Sequence, residues 1–160
     1  VKALKELNEF KDYNLATERS KYLNDLGIPL NTDSTLKGQT IFLAERCAEL
    51  MNNNIITDRT IIDVMAFTMN ANSIHYNDKE IFENYAKEFI REYDYIFYIS
   101  PDGLPIEDNG VRETDEHYRD VIDFSITSLI RKYAHMMKNV ETIKGSTQDR
   151  IDQILNVIKS

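Results

Sequence analysis

Hydrophobic and polar positions follow two spacings along the chain, and their alternation predicts helices separated by short strands. Short runs that contain apolar or β-branched residues predict strands at 13–17, 55–57, 95–99 and 140–144. Apolar residues at helical spacing predict helices at 1–9, 21–26, 39–51, 60–69, 78–93, 115–138 and 147–159. This order favours βαβ units, and therefore an α/β fold with a doubly wound, mostly parallel sheet flanked by helices.

The clearest strand is Tyr95-Ile-Phe-Tyr-Ile99, which is apolar throughout. Such a run is typical of a strand that is covered on both faces, so we expect it at the centre of a parallel sheet. Aromatic residues are frequent just before it, and one hypothesis is a platform for stacking bases. Because Phe82, Tyr85 and Phe89 lie at helical spacing, core packing is the favoured interpretation.

Length and composition restrict the class of protein. A chain of 160 residues predicts one domain, 1–160, with one sizeable core. The net charge of −8 argues against partners such as extended nucleic acid or an anionic membrane. The single cysteine, Cys47, allows neither an internal disulfide nor a Cys-rich zinc site. With no apolar run of membrane-spanning length and no signal peptide, we expect a cytoplasmic protein.

The first residues look like the interior of a helix. Val1, Leu4 and Leu7 lie at helical spacing, and no capping residue comes before them. A natural chain usually begins with Met and reaches a cap before its first helix. We therefore expect further chain before Val1.

Candidate functional residues come directly after the strand at 55–57. They are Asp58 and Arg59, with Asp63 shortly after. Open α/β sheets bind ligands beyond the carboxyl ends of their strands. In phosphate-transferring proteins an acid at this point holds Mg²⁺ or its water, and a neighbouring arginine binds phosphate through its fork of N–H groups. The alternative is structural: Asp58 begins the next helix and Arg59 pairs with it at the surface.

A long polar segment, 101–119, follows the strand at 95–99 and carries two prolines, two glycines and several acids. This composition predicts a lid that becomes ordered on a ligand. Arg112 and Arg119 would lie about two helical turns apart on a continuous helix and would reach one anion together. The alternative is a loop followed by a solvated helix face.

Gly145 and Ser146 lie at a predicted strand-to-helix turn. Turns of this kind border purine bases in nucleotide-binding folds, although most of them only connect two elements. Both interpretations stay open at this point.

Taken together, these segments resemble the P-loop kinases of the ribosylnicotinamide kinase group and the related AAA-type nucleoside and nucleotide kinases. The resemblance covers essentially the whole chain and depends on the order and spacing of short segments at strand ends. These segments are Thr17-Glu-Arg-Ser-Lys-Tyr-Leu23 with Leu26-Gly27, Asp58-Arg59 with Asp63 and Ala66-Phe67, Asp108-Asn-Gly-Val-Arg112 with Asp115-Glu116 and Tyr118-Arg119, and Gly145-Ser146 with Arg150.

The resemblance implies a P-loop NTPase-like fold of three layers and an ATP-dependent kinase that phosphorylates a nucleoside, a nucleotide or a similar small molecule. By this resemblance Asp58 coordinates Mg²⁺ or orients the acceptor hydroxyl, and Arg59 contacts substrate or phosphate. The substrate-binding residues that it implies are Glu18, Arg19 and Asp63.

The resemblance also implies a group of residues around the ATP cofactor. Arg112 and Arg119 would act as catalytic lid arginines that close over the phosphates. Gly145 and Ser146 would border the adenine.

One departure from the family is clear, because the chain contains no Gly-x-x-x-x-Gly-Lys-Ser/Thr loop. In these kinases that loop holds the ATP phosphates and directly precedes the first helix. Here it would lie before Val1, in agreement with the uncapped helix. The alternative function is a non-catalytic module of the same fold that binds a protein partner through its acidic surface. A homodimer also stays open as an assembly.

Overall fold

The computed structural model describes residues 1–17, 20–101 and 116–160, with the backbone alone for Ser20 and Lys21. Its helices are α1 (Lys2–Lys5), α2 (Ser20–Asp25), α3 (Leu36–Leu50), α4 (Ile61–Met69), α5 (Tyr76–Ala86), α6 (Glu116–Lys132) and α7 (Thr147–Lys159). Its strands are β1 (Asn14–Ala16), β2 (Ile55–Thr57), β3 (Ile96–Ile99) and β4 (Val140–Ile143). One or two α-helices separate each strand from the next, so the predicted α/β class is confirmed.

The strands form two small parallel sheets. β1 pairs with β2, with Asn14 opposite Ile55 and Ala16 opposite Thr57. β3 pairs with β4, with Ile96 opposite Val140. In the described part of the chain these two pairs are not hydrogen-bonded to each other, so the expected single sheet is present only as two parallel pairs.

The apolar strand β3 does not occupy the predicted central position among the described residues, because β4 is its only strand partner there. The side chain of Ile99 is 44% exposed and that of Tyr95, just before the strand, is 41% exposed. The apolar run predicted cover on both faces, which these two exposed residues do not have, and it carries no information on how many strands flank it.

The larger core lies where α3, α4, α5 and α6 meet. Most residues of α4 are buried, since this short helix is apolar on nearly every side. The fully buried side chains Ile61, Met65 and Ile90 lie in this cluster together with Leu129 of α6 and Ile96 of β3. The core therefore fixes α4 in place, and with it the turn that precedes its first residue.

A second apolar cluster joins the N-terminal segment to α7. Its buried members are Leu4, Phe10, Ile143, Ile151 and Ile154. Ile56 of β2 and Phe97 of β3 both pack against it, partly buried. The two strand pairs therefore share a hydrophobic neighbour although they share no strand pairing.

Several predicted elements differ from the observed ones at their ends. Three predicted helices give way to 3-10 turns, at Asn8–Phe10, Lys87–Glu92 and Ala134–Met136. The helix predicted from 39 begins earlier, at Leu36, because the Thr35 side chain accepts a hydrogen bond from the Gly38 amide at 3.1 Å. The core prediction for Phe82 is confirmed, whereas Tyr85 is 62% exposed and that prediction is wrong.

Glu83 links α5 to the end of α6. Its Oε1 accepts a hydrogen bond from Lys132 Nζ at 2.6 Å and another from the Tyr133 hydroxyl. Burial raises the pKa of Glu83, but these two hydrogen bonds outweigh it, and the net pKa lies below the ordinary value of 4.5. The ionised carboxylate is therefore the form that holds the two helices together.

Replacing this carboxylate by an amide, Glu83→Gln, should lower the free energy of unfolding at neutral pH by about 1 kcal/mol. A depressed pKa in the folded state contributes stability above the unfolded pKa, and this contribution is lost as the pH falls through the folded pKa. The difference between wild type and variant should thus shrink below pH 4.5 in urea unfolding. The control is Glu88→Gln, whose pair with Arg91 is more than half exposed; an equal effect there would contradict this account.

Candidate functional site

The candidate site lies where β1 and β2 end side by side. Ala16 is opposite Thr57, and the Asp58 amide donates to the Ala16 carbonyl at 3.3 Å. The chain leaves both strands at the same edge, which is the edge where open parallel sheets bind ligands. The predicted substrate residues Glu18 and Arg19 come next after β1, but they lie outside the described residues.

Asp58 is exposed at this edge. Within the described ranges, no side chain pairs with its carboxylate or donates a hydrogen bond to it. An accessible carboxylate of this kind is able to take a cation, a metal-bound water or a substrate hydroxyl.

Arg59 lies against the start of α4. Its Nη1 is 3.1 Å from Asp63 Oδ1, and its guanidinium lies over the Phe67 ring at 5.8 Å from the centroid. The side chain is still 29% exposed. Asp63 and Phe67 therefore hold the guanidinium of Arg59 at the start of α4.

Asp63 has a structural role. Its Oδ2 accepts hydrogen bonds from the Thr60 amide at 2.7 Å and the Thr60 hydroxyl at 3.0 Å, which completes a capping box at the start of α4. With Oδ1 on Arg59, both carboxylate oxygens are engaged. The structural alternative expected Asp58 to begin this helix and Arg59 to pair with it, but Thr60 is the N-cap and Arg59 pairs with Asp63. The substrate role of Asp63 stays a prediction.

The first amides of α4 are already used by the protein. The Ile61 amide donates to the Tyr93 hydroxyl at 3.1 Å, and the Ile62 amide donates to Thr60 Oγ1 at 3.2 Å. Burial raises the pKa of Tyr93, which keeps the phenol neutral as an acceptor. An anion at this edge would therefore be bound by side chains and not by the helix N-terminus.

A buried arginine that was not predicted from the sequence contacts the turn at Thr57–Arg59. Arg46 of α3 is 3% exposed, and its Nη1 donates to Thr57 Oγ1 at 3.1 Å and to the Arg59 carbonyl at 3.4 Å. Its Nη2 is 2.7 Å from Glu49 Oε1. Burial raises the pKa of Glu49, while the charge of Arg46 opposes that rise.

The predicted lid is described only at its ends. Residues 102–115 lie outside the described part, and these include Arg112. Arg119 lies in the first turns of α6, is 33% exposed and has its Nε 3.7 Å from Asp120 Oδ1. The expectation that the two arginines reach one anion therefore stays a prediction.

Gly145 and Ser146 form the predicted turn between β4 and α7. Gly145 has φ +95°, and a Cβ at this position would lie 2.8 Å from Asp149 Oδ2. Ser146 caps α7 in a capping box with Asp149, and its side-chain and backbone hydrogen bonds hold the pKa of Asp149 below its usual value. The glycine is required by the turn itself, and an adenine contact stays a prediction.

The described residues contain no group of three or more His, Cys, Asp and Glu side chains that could hold a metal ion by themselves. None of the described helices has the length and apolar content that crossing a membrane requires.

Comparisons with known proteins add no role to these residues. No protein-family model matches the chain, and no curated protein or solved structure matches it either. What remains to indicate a function is the geometry at the carboxyl end of β2 and the resemblance of the motifs.

Proposed function

We propose that the protein is an ATP-dependent phosphotransferase that acts on a nucleoside, a nucleotide or a similar small hydroxyl-bearing molecule. The observation that supports it is the exposed carboxylate of Asp58 at the carboxyl end of a parallel strand, followed in the chain by Arg59, whose guanidinium is held by Asp63. Phosphoryl transfer depends mainly on positioning and on neutralising charge. A carboxylate and a guanidinium at this edge are suited to both tasks.

In this proposal Asp58 is the protein ligand of Mg²⁺, directly or through a water, or it orients the acceptor hydroxyl. Mg²⁺ keeps several waters and takes few protein carboxylates, since nucleotide phosphates supply other ligands. One accessible carboxylate therefore fits the metal without a larger acidic cluster. When bound, the metal ion would neutralise charge on the transferred phosphoryl group.

Arg59 contacts phosphate or substrate, and its pairing with Asp63 limits the positions that its guanidinium can take. Glu18, Arg19 and Asp63 are assigned to the acceptor, Arg112 and Arg119 to the phosphates, and Gly145 and Ser146 to the adenine. These assignments come from the resemblance of the motifs.

The proposal includes a more detailed architecture, in which the two strand pairs are halves of one doubly wound sheet between two helix layers. Its support is the cluster of α1 and α7, against which both Ile56 and Phe97 pack. β2 and β3 each have one hydrogen-bonding edge without a strand partner among the described residues. A strand between them would join the pairs, and a phosphate-binding loop at its end would lie beside Asp58.

The experiment is to determine the residues encoded directly before Val1. The proposal expects a short apolar strand followed by Gly-x-x-x-x-Gly-Lys-Ser/Thr, because residues 1–160 do not contain that loop. An upstream sequence without this loop would remove the proposed ATP site. It would favour the alternative, a binding or assembly module that uses the same scaffold.

A further inference from the structure

Arg46 contacts the turn on both sides of Asp58. Its guanidinium donates to the Thr57 hydroxyl before Asp58 and to the Arg59 carbonyl after it. Neither contact uses the Asp58 carboxylate or the Arg59 guanidinium. Arg46 therefore holds the backbone on both sides of Asp58, and the Asp58 carboxylate itself stays exposed.

Glu49 closes this network. Its Oε1 binds Arg46 Nη2 at 2.7 Å, and its Oε2 is 3.1 Å from Thr57 Oγ1. Thr57 Oγ1 is also 2.9 Å from the Arg59 carbonyl. Two neighbouring turns of α3 are thus connected to the turn that follows β2 by a ring of hydrogen bonds.

An arginine suits this position because its guanidinium offers several N–H donors in one plane, here directed at three acceptors. A buried charge pair adds little net stability, since apolar side chains of similar volume often stabilise as well or better. What the pair contributes is therefore the fixed position of the turn and not net stability.

We infer that Arg46, together with Glu49, is a positioning pair that fixes the Thr57–Arg59 turn and so sets the place of Asp58 relative to a phosphate or Mg²⁺. This inference rests on the proposed function for its chemistry. Its structural part, that the pair fixes the backbone of Thr57–Arg59, follows from the contacts of the turn and can be measured without any ligand.

The first test compares Thr57→Val with Thr57→Ser in the 160-residue chain. Valine keeps the shape of Thr57 and removes its hydroxyl, whereas serine keeps the hydroxyl. We expect the valine variant to shift the backbone amide signals of Asp58 and Arg59 in nuclear magnetic resonance spectra and to speed their hydrogen exchange by about tenfold or more. The serine variant should restore the wild-type signals.

The second variant, Arg46→Met with Glu49→Leu, removes the charge pair without leaving a buried charge. The same amides of Asp58 and Arg59 should move, while the amides of Thr60 and Ile62 keep their protection because the capping box does not involve Arg46. Unchanged signals at Asp58 and Arg59 in this variant and in Thr57→Val would overturn the inference.

An activity measurement separates this inference from the proposed function. With Mg-ATP and a panel of nucleosides, Thr57→Val in the complete translation product should lower kcat by about tenfold or more, while KM for ATP changes by less than about threefold. If the wild type transfers no phosphate, the proposed function fails, and the amide signals alone decide the positioning. If transfer occurs and kcat is unchanged in a variant whose amides have moved, the positioning role is wrong.

Discussion

Replacing Arg46 with alanine should lower the free energy of unfolding by about 3 kcal/mol or more. The substitution leaves the Glu49 carboxylate, 16% exposed, without its charge partner, and burial already raises the pKa of that carboxyl group. It also removes the donor to the Arg59 carbonyl. Urea unfolding followed by circular dichroism measures the loss, which should appear as a lower midpoint with an unchanged slope.

The matched control is Arg91→Ala. Arg91 also pairs with a glutamate three residues away, Glu88, but its side chain is 59% exposed. Exposed pairs contribute between nothing and about 1 kcal/mol. A loss for Arg46→Ala no larger than that for Arg91→Ala would mean that the buried network does not support the turn.

Asp58→Asn should lower the turnover of phosphoryl transfer by about a hundredfold, the scale expected for one electrostatic or acid-base contribution. The amide keeps the size of the side chain and loses the charge that would face Mg²⁺ or take the acceptor proton. Because Asp58 is exposed and is not paired with a described side chain, the melting temperature should change little.

The control for this variant is Asp94→Asn, an aspartate that is 76% exposed and paired with Lys138 away from the β2 edge. Its turnover should equal that of the wild type within about twofold. If Asp58→Asn retains full turnover in the same assay, Asp58 has no part in the mechanism.

Sequence patterns predicted the elements best where local chemistry marks their ends. The helix at 147–159 was predicted with its observed bounds, because Ser146 and Asp149 form a capping box at its start. The 3-10 turn at Lys87–Glu92 was not predicted, since its apolar spacing continues that of α5. The tightening of the last turns is decided by packing.

Parallel pairing is harder to predict than strand position. All four strands of the described residues were predicted to within one residue at each end. Their division into two pairs depends on contacts between distant segments, such as the shared cluster of α1 and α7. The local pattern of a strand contains no record of those contacts.

The site was predictable where it depends on local sequence, and not where it depends on contacts between distant segments. An acid directly after a strand places Asp58 at a sheet edge, and the structure confirms that position. Arg46 was missed because its partners at Thr57 and Arg59 are joined to it only through the packing of α3. The sequence did contain one signal for it. Arg46 lies at helical spacing among Leu43, Cys47 and Leu50, and a charged residue on such an apolar face needs a buried partner.

The most direct test of the proposed phosphotransferase is transfer of the labelled γ-phosphate from Mg-ATP to a panel of nucleosides and nucleotides by the complete translation product. The account predicts transfer to at least one acceptor, its loss when a chelator removes Mg²⁺, and a fall of about a hundredfold in Asp58→Asn. A folded wild-type protein that neither binds Mg-ATP nor transfers phosphate to any of these acceptors would contradict it.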